Sequence, residues 1–413
     1  MTKLPQGWEW KSLGEIFNIE RGGSPRPIKE FLTDKEDGIN WIKIGDIKNQ
    51  KYLYKTEEKI IQEGLKKSKL VIEGDLLVSN SMSFGKPVIV KLQKGAIHDG
   101  WLLLKEKINL NKEYFYYLFS SNFMYNFLSY QASGSTVKNL NIDKLKQIEI
   151  PLPPLKEQER IVGILDESFA KIDESIKILE QDLLNLDELM QSALQKAFNP
   201  LKDNAKENYK LPQGWEWKSL GEISNLIQNG FAASKNNEIP SGYVHLRTHN
   251  ISTDGNLNFD TLIKIKREFI KEKQSFIEKN DILFNNTNST ELVGKTALVT
   301  QNYNYAFSNH LTKIKLKNQY NSKLVVFYFV LLLKNKYFEK ICHQWIGQSG
   351  INIDKLKKIQ IPLPPLKEQE QIAKHLDFVF EKTKALKELY TKELKDYEEL
   401  KQSLLNKAFK GEL

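Results

Sequence analysis

Along residues 155–198 apolar side chains recur at Leu165, Phe169, Ile172, Ile176, Leu179, Leu183, Leu186 and Met190, alternately four and three positions apart. That spacing is the seam of a coiled-coil helix. Pro153-Pro154, followed by Lys156-Glu157-Gln158-Glu159, marks its start. Proline needs no amide partner in a first turn, and acidic side chains there complement the helix dipole. A second run begins identically at Pro364-Pro365 and meets no proline or glycine before Gly411. Its looser seam is read through Leu376, Val379, Thr383, Leu386, Tyr390, Tyr397, Leu400 and Leu404. The predicted helices, 155–198 and 366–413, would each extend roughly 65 Å at ~1.5 Å per residue.

The segments before them, 1–154 and 199–365, carry a different pattern. Short β-rich runs such as Ile39–Ile44, Leu76–Ser79 and Pro87–Val90 are punctuated by Gly and Asn, with one amphipathic helix predicted over Glu113–Leu128. Tyr243–Leu246, Ile282–Phe284, Thr296–Val299 and a helix near Ser322–Lys340 repeat that order. Both segments read as compact α+β domains. The aromatics of Tyr114-Phe115-Tyr116-Tyr117 and Phe327-Tyr328-Phe329 are assigned to their cores.

The two halves are copies. Leu4–Ile16 (LPQGWEWKSLGEI) recurs unchanged at Leu211–Ile223, and Ile150–Glu159 (IPLPPLKEQE) at Ile361–Glu370. Asn141–Leu145 matches Asn352–Leu356, and Lys196-Ala197-Phe198 matches Lys407-Ala408-Phe409. Between these ends the copies diverge: FNIERGGSPRPIKEF follows Ile16, whereas SNLIQNGFAASKNNE follows Ile223. Uniform drift after duplication is the bland alternative, but it does not leave thirteen identical residues beside unalignable ones. The expected architecture is α+β: two similar globular domains separated by two long helices that form an antiparallel coiled coil, a pseudo-two-fold tandem repeat. In that arrangement the helices carry the domains to opposite ends. The competing reading makes the helices a dimerisation element only.

Composition narrows the function. The formal net charge is +9, from 61 basic and 52 acidic residues. Residues 1–154 hold 23 basic and 18 acidic groups and 199–365 hold 23 and 14, whereas 155–198 hold 5 and 10 and 366–413 hold 10 and 10. The positive charge therefore sits on the globular domains, which fits modules that grip phosphates and a spacer that need not. A single cysteine, Cys342, excludes a disulfide framework and points to a reducing cytoplasm. The longest apolar run, Leu324–Leu333, is ten residues, about half a membrane span, and residues 1–6 lack a signal-peptide core, so a soluble chain without a membrane partner is expected. Enzymatic motifs are missing: no GxxxxGK[ST] loop, no GxGxxG turn, and no amide or carboxylate before Pro153-Pro154 of the kind an amino-methyltransferase needs. His245 and His249 lie in a β-like segment where their spacing does not converge on a metal. No catalytic, cofactor-binding or metal-ligating residue is expected in this chain.

The duplicated ends, the divergent basic domains and the two helices that follow PLPPLKEQ together resemble the DNA-specificity (S) subunit of Type I restriction-modification enzymes. Further marks are LPxGWEWxxLGEI, Gly74-Asp75-Leu76-Leu77 and Asn-Ile-Asp-Lys-Leu. One departure is Lys279-Asn280-Asp281 where the second copy should have Gly-Asp, which puts a local turn in doubt. The resemblance implies two target-recognition domains, each reading one half of an asymmetric bipartite site, with the helices as a ruler for the spacer. It implies two adenine-methylating modification subunits and two restriction subunits as partners, with S-adenosylmethionine, ATP and Mg on those partners and the modification subunits seated on the helical regions.

Base edges in the major groove are read by Arg, Lys, Asn, Gln, Ser and Thr on presented loops. In the first domain the candidates are Arg21, Ser24, Asn80, Ser81, Ser83, Ser135, Thr136, Lys138 and Asn139. In the second they are Gln228, Asn229, Arg247, Thr248, Asn250, Asn285, Asn286, Asn288, Gln348, Ser349 and Asn352. The plainer role for Asn and Ser in turns is service to the backbone. The rival function is a coiled-coil scaffold bridging RNA or acidic protein partners.

Overall fold

A computed structural model describes residues 4–47, 50–80, 85–132, 142–199, 211–270 and 276–413, with side chains of 130–132 excepted. The chain forms two compact units, Met1–Leu179 with Thr391–Leu413, and Glu180–Tyr390. Compactness thus divides each long helix between the units rather than setting the helices apart from the globular segments.

In each unit the segments that the sequence repeats verbatim are bonded to each other. Glu9–Ser12 pairs antiparallel with Glu149–Leu152, Trp10 opposite Pro151. Glu216–Ser219 pairs with Gln360–Leu363 in the same register, Trp217 opposite Pro362. Ser12 and Ser219 then cap short helices, Leu13–Ile16 and Leu220–Ile223, through reciprocal capping boxes with Glu15 and Glu222. The PLPPLKEQ motif has an equally definite task. Gln158 is buried, accepts the Asn111 N–H at 2.9 Å and donates to the Pro153 carbonyl at 2.9 Å. Gln369 does the same with Asn321 and Pro364, at 2.9 and 2.8 Å. Asn111 and Asn321 are themselves the N-caps of the helices Lys112–Ser120 and Ser322–Lys334. One glutamine therefore fastens the start of each long helix to an internal helix of its own domain.

The first unit packs a five-stranded sheet, in the order Phe17–Arg21, Trp101–Glu106, Leu76–Ser79, Pro87–Val90, Tyr52–Leu53, under helices Lys112–Ser120 and Asn122–Ala132. A four-stranded sheet built on Ile39–Ile42 and Lys94–Ile97 stands beside it. The second unit has the matching four-stranded sheet, Ser224–Asn229, Leu311–Leu316, Ile282–Asn285, Thr296–Leu298. Two three-stranded sheets complete it, one on Glu238–Leu246 and one on Gln348–Gly350. The assigned core aromatics Tyr114, Phe115, Tyr117, Phe327, Tyr328 and Phe329 are buried, and Tyr116 is half-buried against the same core. The single helices expected in each domain are broken. Ser121 takes an extended conformation and its hydroxyl accepts the Met124 N–H, so Asn122–Ala132 starts afresh. Lys336, at φ +56, separates Ser322–Lys334 from Tyr337–Ile341. The doubtful turn is intact: Asn280 holds φ +70 where the first copy has Gly74 at φ +88, and Asp281 accepts the Glu278 N–H as Asp75 accepts that of Ile72. Asparagine is the non-glycine residue best suited to that conformation.

The long helices run Leu155–Phe198 and Leu366–Lys410. In the first unit Arg160 reaches the Leu413 carbonyl at 2.7 Å while Asp173 pairs with Lys401 at 2.6 Å, so the segments are antiparallel. In the second unit Met190 and Leu194 share a core with Ala373 and Leu376, and Asp187 pairs with Lys387 at 2.6 Å. The seam of the first helix is as read, with Leu165, Ile172, Leu179, Leu186 and Met190 buried. That of the second is corrected. Leu386 and Leu400 are exposed, and Phe380, Lys387, Lys401 and Leu405 take inner positions beside Val379, Leu386, Leu400 and Leu404. Lysine stems cover apolar surface while the ammonium groups reach the aspartates of the acidic first helix.

Gln158→Ala removes a buried acceptor and donor together, leaving the Asn111 N–H and the Pro153 carbonyl unpaired. It is expected to lower stability by ~1–3 kcal/mol in urea unfolding. Glu159→Ala, on the exposed side of the same turn, should stay within ~0.5 kcal/mol of the parent.

Candidate nucleic-acid interface

Arg21 and Asn229 lie at the ends of equivalent strands. Gly22 donates to the Trp101 carbonyl at 2.9 Å and Gly230 to that of Leu311 at 3.0 Å. A Cβ on Gly22 would collide with the carbonyls of Ile97 and His98, and one on Gly230 with those of Phe307 and Ser308. Only glycine permits this backbone crossing, and it presents the preceding residue at the same place in both domains. That residue is Arg21 in one and Asn229 in the other.

Around Arg21 the first domain builds a polar cluster on Asp99. Arg21 Nε donates to the Asp99 carbonyl at 2.9 Å, Ser24 Oγ donates to Asp99 Oδ1 at 2.9 Å, and Arg26 Nη2 lies 3.9 Å from Oδ2. Arg21 is exposed and its Nε is engaged, which leaves the terminal guanidinium nitrogens as the group that could meet a bidentate acceptor pair. Next to the cluster is a cavity of about 780 Å³ lined by Ser24, Arg26, Trp41, Lys43, Glu58 and His98. Sequence reading missed Arg26 and Asp99; the SPRP run beside Arg21 was their available signal.

The second domain spends its polar groups differently. Asn229 Oδ1 accepts Thr312 Oγ1 at 2.7 Å and Asn286 Nδ2 at 3.3 Å, and Asn286 Nδ2 also donates to the Asn309 carbonyl at 3.1 Å. Asn80 occupies the equivalent position, donating its N–H to the Gly100 carbonyl as Asn286 does to that of His310. Thr312 and Asn229 are replaced there by Leu102 and Arg21, by strand register. The Asn80 amide is buried and neither of its polar atoms has a partner among the described residues. Asn285 is likewise buried, with neither amide atom partnered among the described residues.

The remaining candidates fall into two groups. Asn250 accepts the Arg247 N–H at 2.8 Å and donates to the Asn258 and Thr261 carbonyls, closing a turn. Asn352 caps Ile353–Lys357, Asn288 accepts the Ser289 N–H, and buried Ser349 bonds Thr290. These four serve the fold. Arg247 is drawn inward, donating to the Ala233 carbonyl at 3.2 Å and lying 3.7 Å from Glu238. The Thr248 carbonyl accepts Lys295 Nζ at 2.9 Å, and burial holds that amine below the usual lysine range. Gln348 is exposed, and Gln228 is half-buried. Ser81, Ser83, Ser135, Thr136, Lys138 and Asn139 lie outside the described residues. The structure therefore gathers Arg21 with Ser24, and Asn229 with Asn286. It joins Asn288, Gln348 and Ser349 in one three-stranded sheet, while Arg247, Thr248 and Asn250 form a separate turn.

Among the described residues no group of three His, Cys, Asp or Glu side chains is placed to hold a metal, and no helix is long and apolar enough to cross a membrane. The family model for the Type I restriction modification DNA specificity domain matches residues 5–183 and 212–396. The chain is 25% identical to the Type I restriction enzyme StySPI specificity subunit of Salmonella potsdam, over 100% of this chain and 90% of that protein. It is 25% identical to the EcoKI specificity subunit of Escherichia coli K12, again over 100% and 90%. A chain from a structural study of type I R-M complex assembly and conformational transition overlays with a TM-score of 0.80 at 22% identity, covering 100% of both chains. The HsdS subunit from Thermoanaerobacter tengcongensis overlays at 0.59 and 22% identity, covering 100% of this chain and 99% of that one. At these identities the structural likeness carries the fold.

The two arginines should separate experimentally. Arg21→Ala is expected to weaken duplex DNA binding by ~1–3 kcal/mol in a fluorescence titration while leaving the unfolding curve unchanged. Arg247→Ala, which removes a partly buried hydrogen-bonded side chain, should lower the unfolding midpoint instead.

Proposed function

The chain belongs to the Type I restriction modification DNA specificity family, and from that membership we propose how it works. It is the sequence-specific DNA-binding subunit of a Type I restriction-modification system. Each globular domain reads one half of a bipartite, asymmetric site, the helices set the spacer, and the bound complex directs adenine methylation or restriction by partner subunits. The observation that carries the asymmetry is the paired framework with unlike rims. The strand clasps, caps and glutamines coincide, whereas the position presented by the glycine crossing is a guanidinium in one copy and an amide in the other.

The finer assignment is ours. We read the chain as non-catalytic, with S-adenosylmethionine, ATP and Mg held by the partners, in a cytoplasmic complex of two modification and two restriction subunits. Supporting a seat for the modification subunit on the helices, Phe378 and Leu389 remain exposed on the second long helix. They are three turns apart and so share one face. The net charge of −5 on residues 155–198 makes that helix a poor phosphate ligand, as a protein-facing element should be.

Co-expression with a modification subunit followed by genome-wide methylation mapping tests the proposal. A split adenine motif is expected; a stable complex with no such motif would favour the scaffold reading. Replacing residues 17–138 with those of another domain should change one half-site, and inserting a heptad in both helices should change the spacer alone. A change in both halves after the domain exchange would refute the one-domain, one-half-site assignment.

A further inference from the structure

The second domain carries a hairpin just before Ile353–Lys357. His343–Trp345 and Gln348–Gly350 pair antiparallel through Trp345 opposite Gln348, leaving Ile346-Gly347 as a two-residue turn. Gly347 holds φ +79, a conformation that side chains with a Cβ rarely adopt, so the turn is sharply specified. Thr287–Asn288 pairs with the inner strand, and the Ile351 N–H donates to the Asn286 carbonyl at 2.9 Å. The hairpin is thereby fixed to the strand end that bears Asn285 to Asn288.

Its tip is apolar and braced. The Trp345 ring meets the His343 ring edge-on, with centroids 4.8 Å apart. It also lies over Gly350, where a Cβ would come within 2.8 Å of it. Ile346 follows at the apex and is completely exposed, at 106% of its reference area, and Trp345 is 56% exposed. The flanks are basic: residues 334–358 carry Lys334, Lys336, Lys340, Lys355, Lys357 and Lys358 against Glu339 and Asp354. An apolar point on a lysine-rich stretch of chain, beside the exposed amide of Gln348, complements a polyanion with apolar surface inside it. Duplex DNA has that construction, with phosphates outside and stacked bases within. A two-stranded ribbon is narrow enough to enter a groove. A side chain exposed on every side is fully desolvated only by a partner that surrounds it.

We propose that this hairpin enters a groove of the half-site bound by the second domain and wedges Ile346 at a base step, with Trp345 packed behind it. The inference rests on the DNA-reading role argued above. Wedging partly unstacks the step and supplies apolar contact that hydrogen-bonding side chains cannot.

The test uses the assembled complex with its modification subunits and duplexes carrying 2-aminopurine at successive positions of the mapped half-sites. Wild type should raise the fluorescence at one step of the second domain's half-site. Ile346→Ala should abolish that rise and weaken binding about tenfold, the scale of burying an aliphatic side chain, and Ile346→Leu should retain both. Because Ile346 makes no packing contribution to the fold, these variants read the DNA contact itself. A flat signal at every position, or equal affinities for wild type and Ile346→Ala, would overturn the wedge while leaving the split methylation motif in place. Loss of the modification subunits from the Ile346→Ala complex on gel filtration would also overturn it, since the tip would then face protein. If the wild-type complex methylated no split motif, the DNA-reading role would fall as well.

Discussion

Everything else in each half of the molecule depends on one strand pair, in which the start of a domain is bonded to the segment that leads into its long helix. Trp10 opposite Pro151, and Trp217 opposite Pro362, close the ends of a fold whose intervening chain exceeds a hundred residues. Closing so long a loop is entropically costly only logarithmically in its length, so the middle can lengthen or change while the clasp holds. What the clasp demands is chemistry at its own residues. The serine caps, the glutamines that bridge Asn111 to Pro153 and Asn321 to Pro364, and the prolines before each helix all lie in or beside the two repeated segments. The glutamines are buried, and each of their partners left unpaired would cost ~1–3 kcal/mol, whereas the serine caps are exposed and contribute as N-caps.

Beyond the clasp the two domains illustrate different uses of one scaffold. Asn80 and Asn286 occupy equivalent backbone positions and are equally buried. In the second domain Thr312 and Asn229 complete the amide's hydrogen bonds, whereas in the first Leu102 and Arg21 stand in their places. The consequence is an exposed Arg21 with a buried Asn80 amide that has no partner among the described residues on one side, and a closed amide and hydroxyl network on the other. The two rims therefore present different donor patterns without any change in the strands that carry them.

How much of this was legible in the sequence depended on whether the signal was periodic or contextual. The helices were legible because double prolines and heptad spacing are local, and the duplication was legible because the segments that form each clasp are nearly identical in the two copies. The register of the second seam was not, since Lys387 and Lys401 were passed over for neighbouring leucines. Only the aspartates of the other helix make a lysine an inner residue. The helix breaks at Ser121 and Lys336 were hidden for a related reason: neither residue is a strong breaker, and each acts through a local conformation that its neighbours impose. Among the polar candidates, residue type could not separate Asn250, Asn286 and Asn352, whose amides are occupied by the fold, from Arg21, whose terminal nitrogens are free to project. That distinction belongs to partners far apart in the chain.

The same division explains why one rim can change without disturbing the other. The main core of the first unit is built on Phe17, Leu104 and Phe115 and includes Leu165 with Leu405 and Phe409. The main core of the second is built on Phe284, Leu324 and Phe329 and includes Leu194 with Leu376 and Phe380. Among the described residues none belongs to both, although both draw on the same two helices. Substitutions at sites without shared partners act nearly independently. A change at position 21 or 102 therefore alters the donors presented by the first domain and leaves the core of the second untouched. Two copies of one fold, each closed by its own clasp, can then diverge in what they recognise while each remains folded on its own contacts.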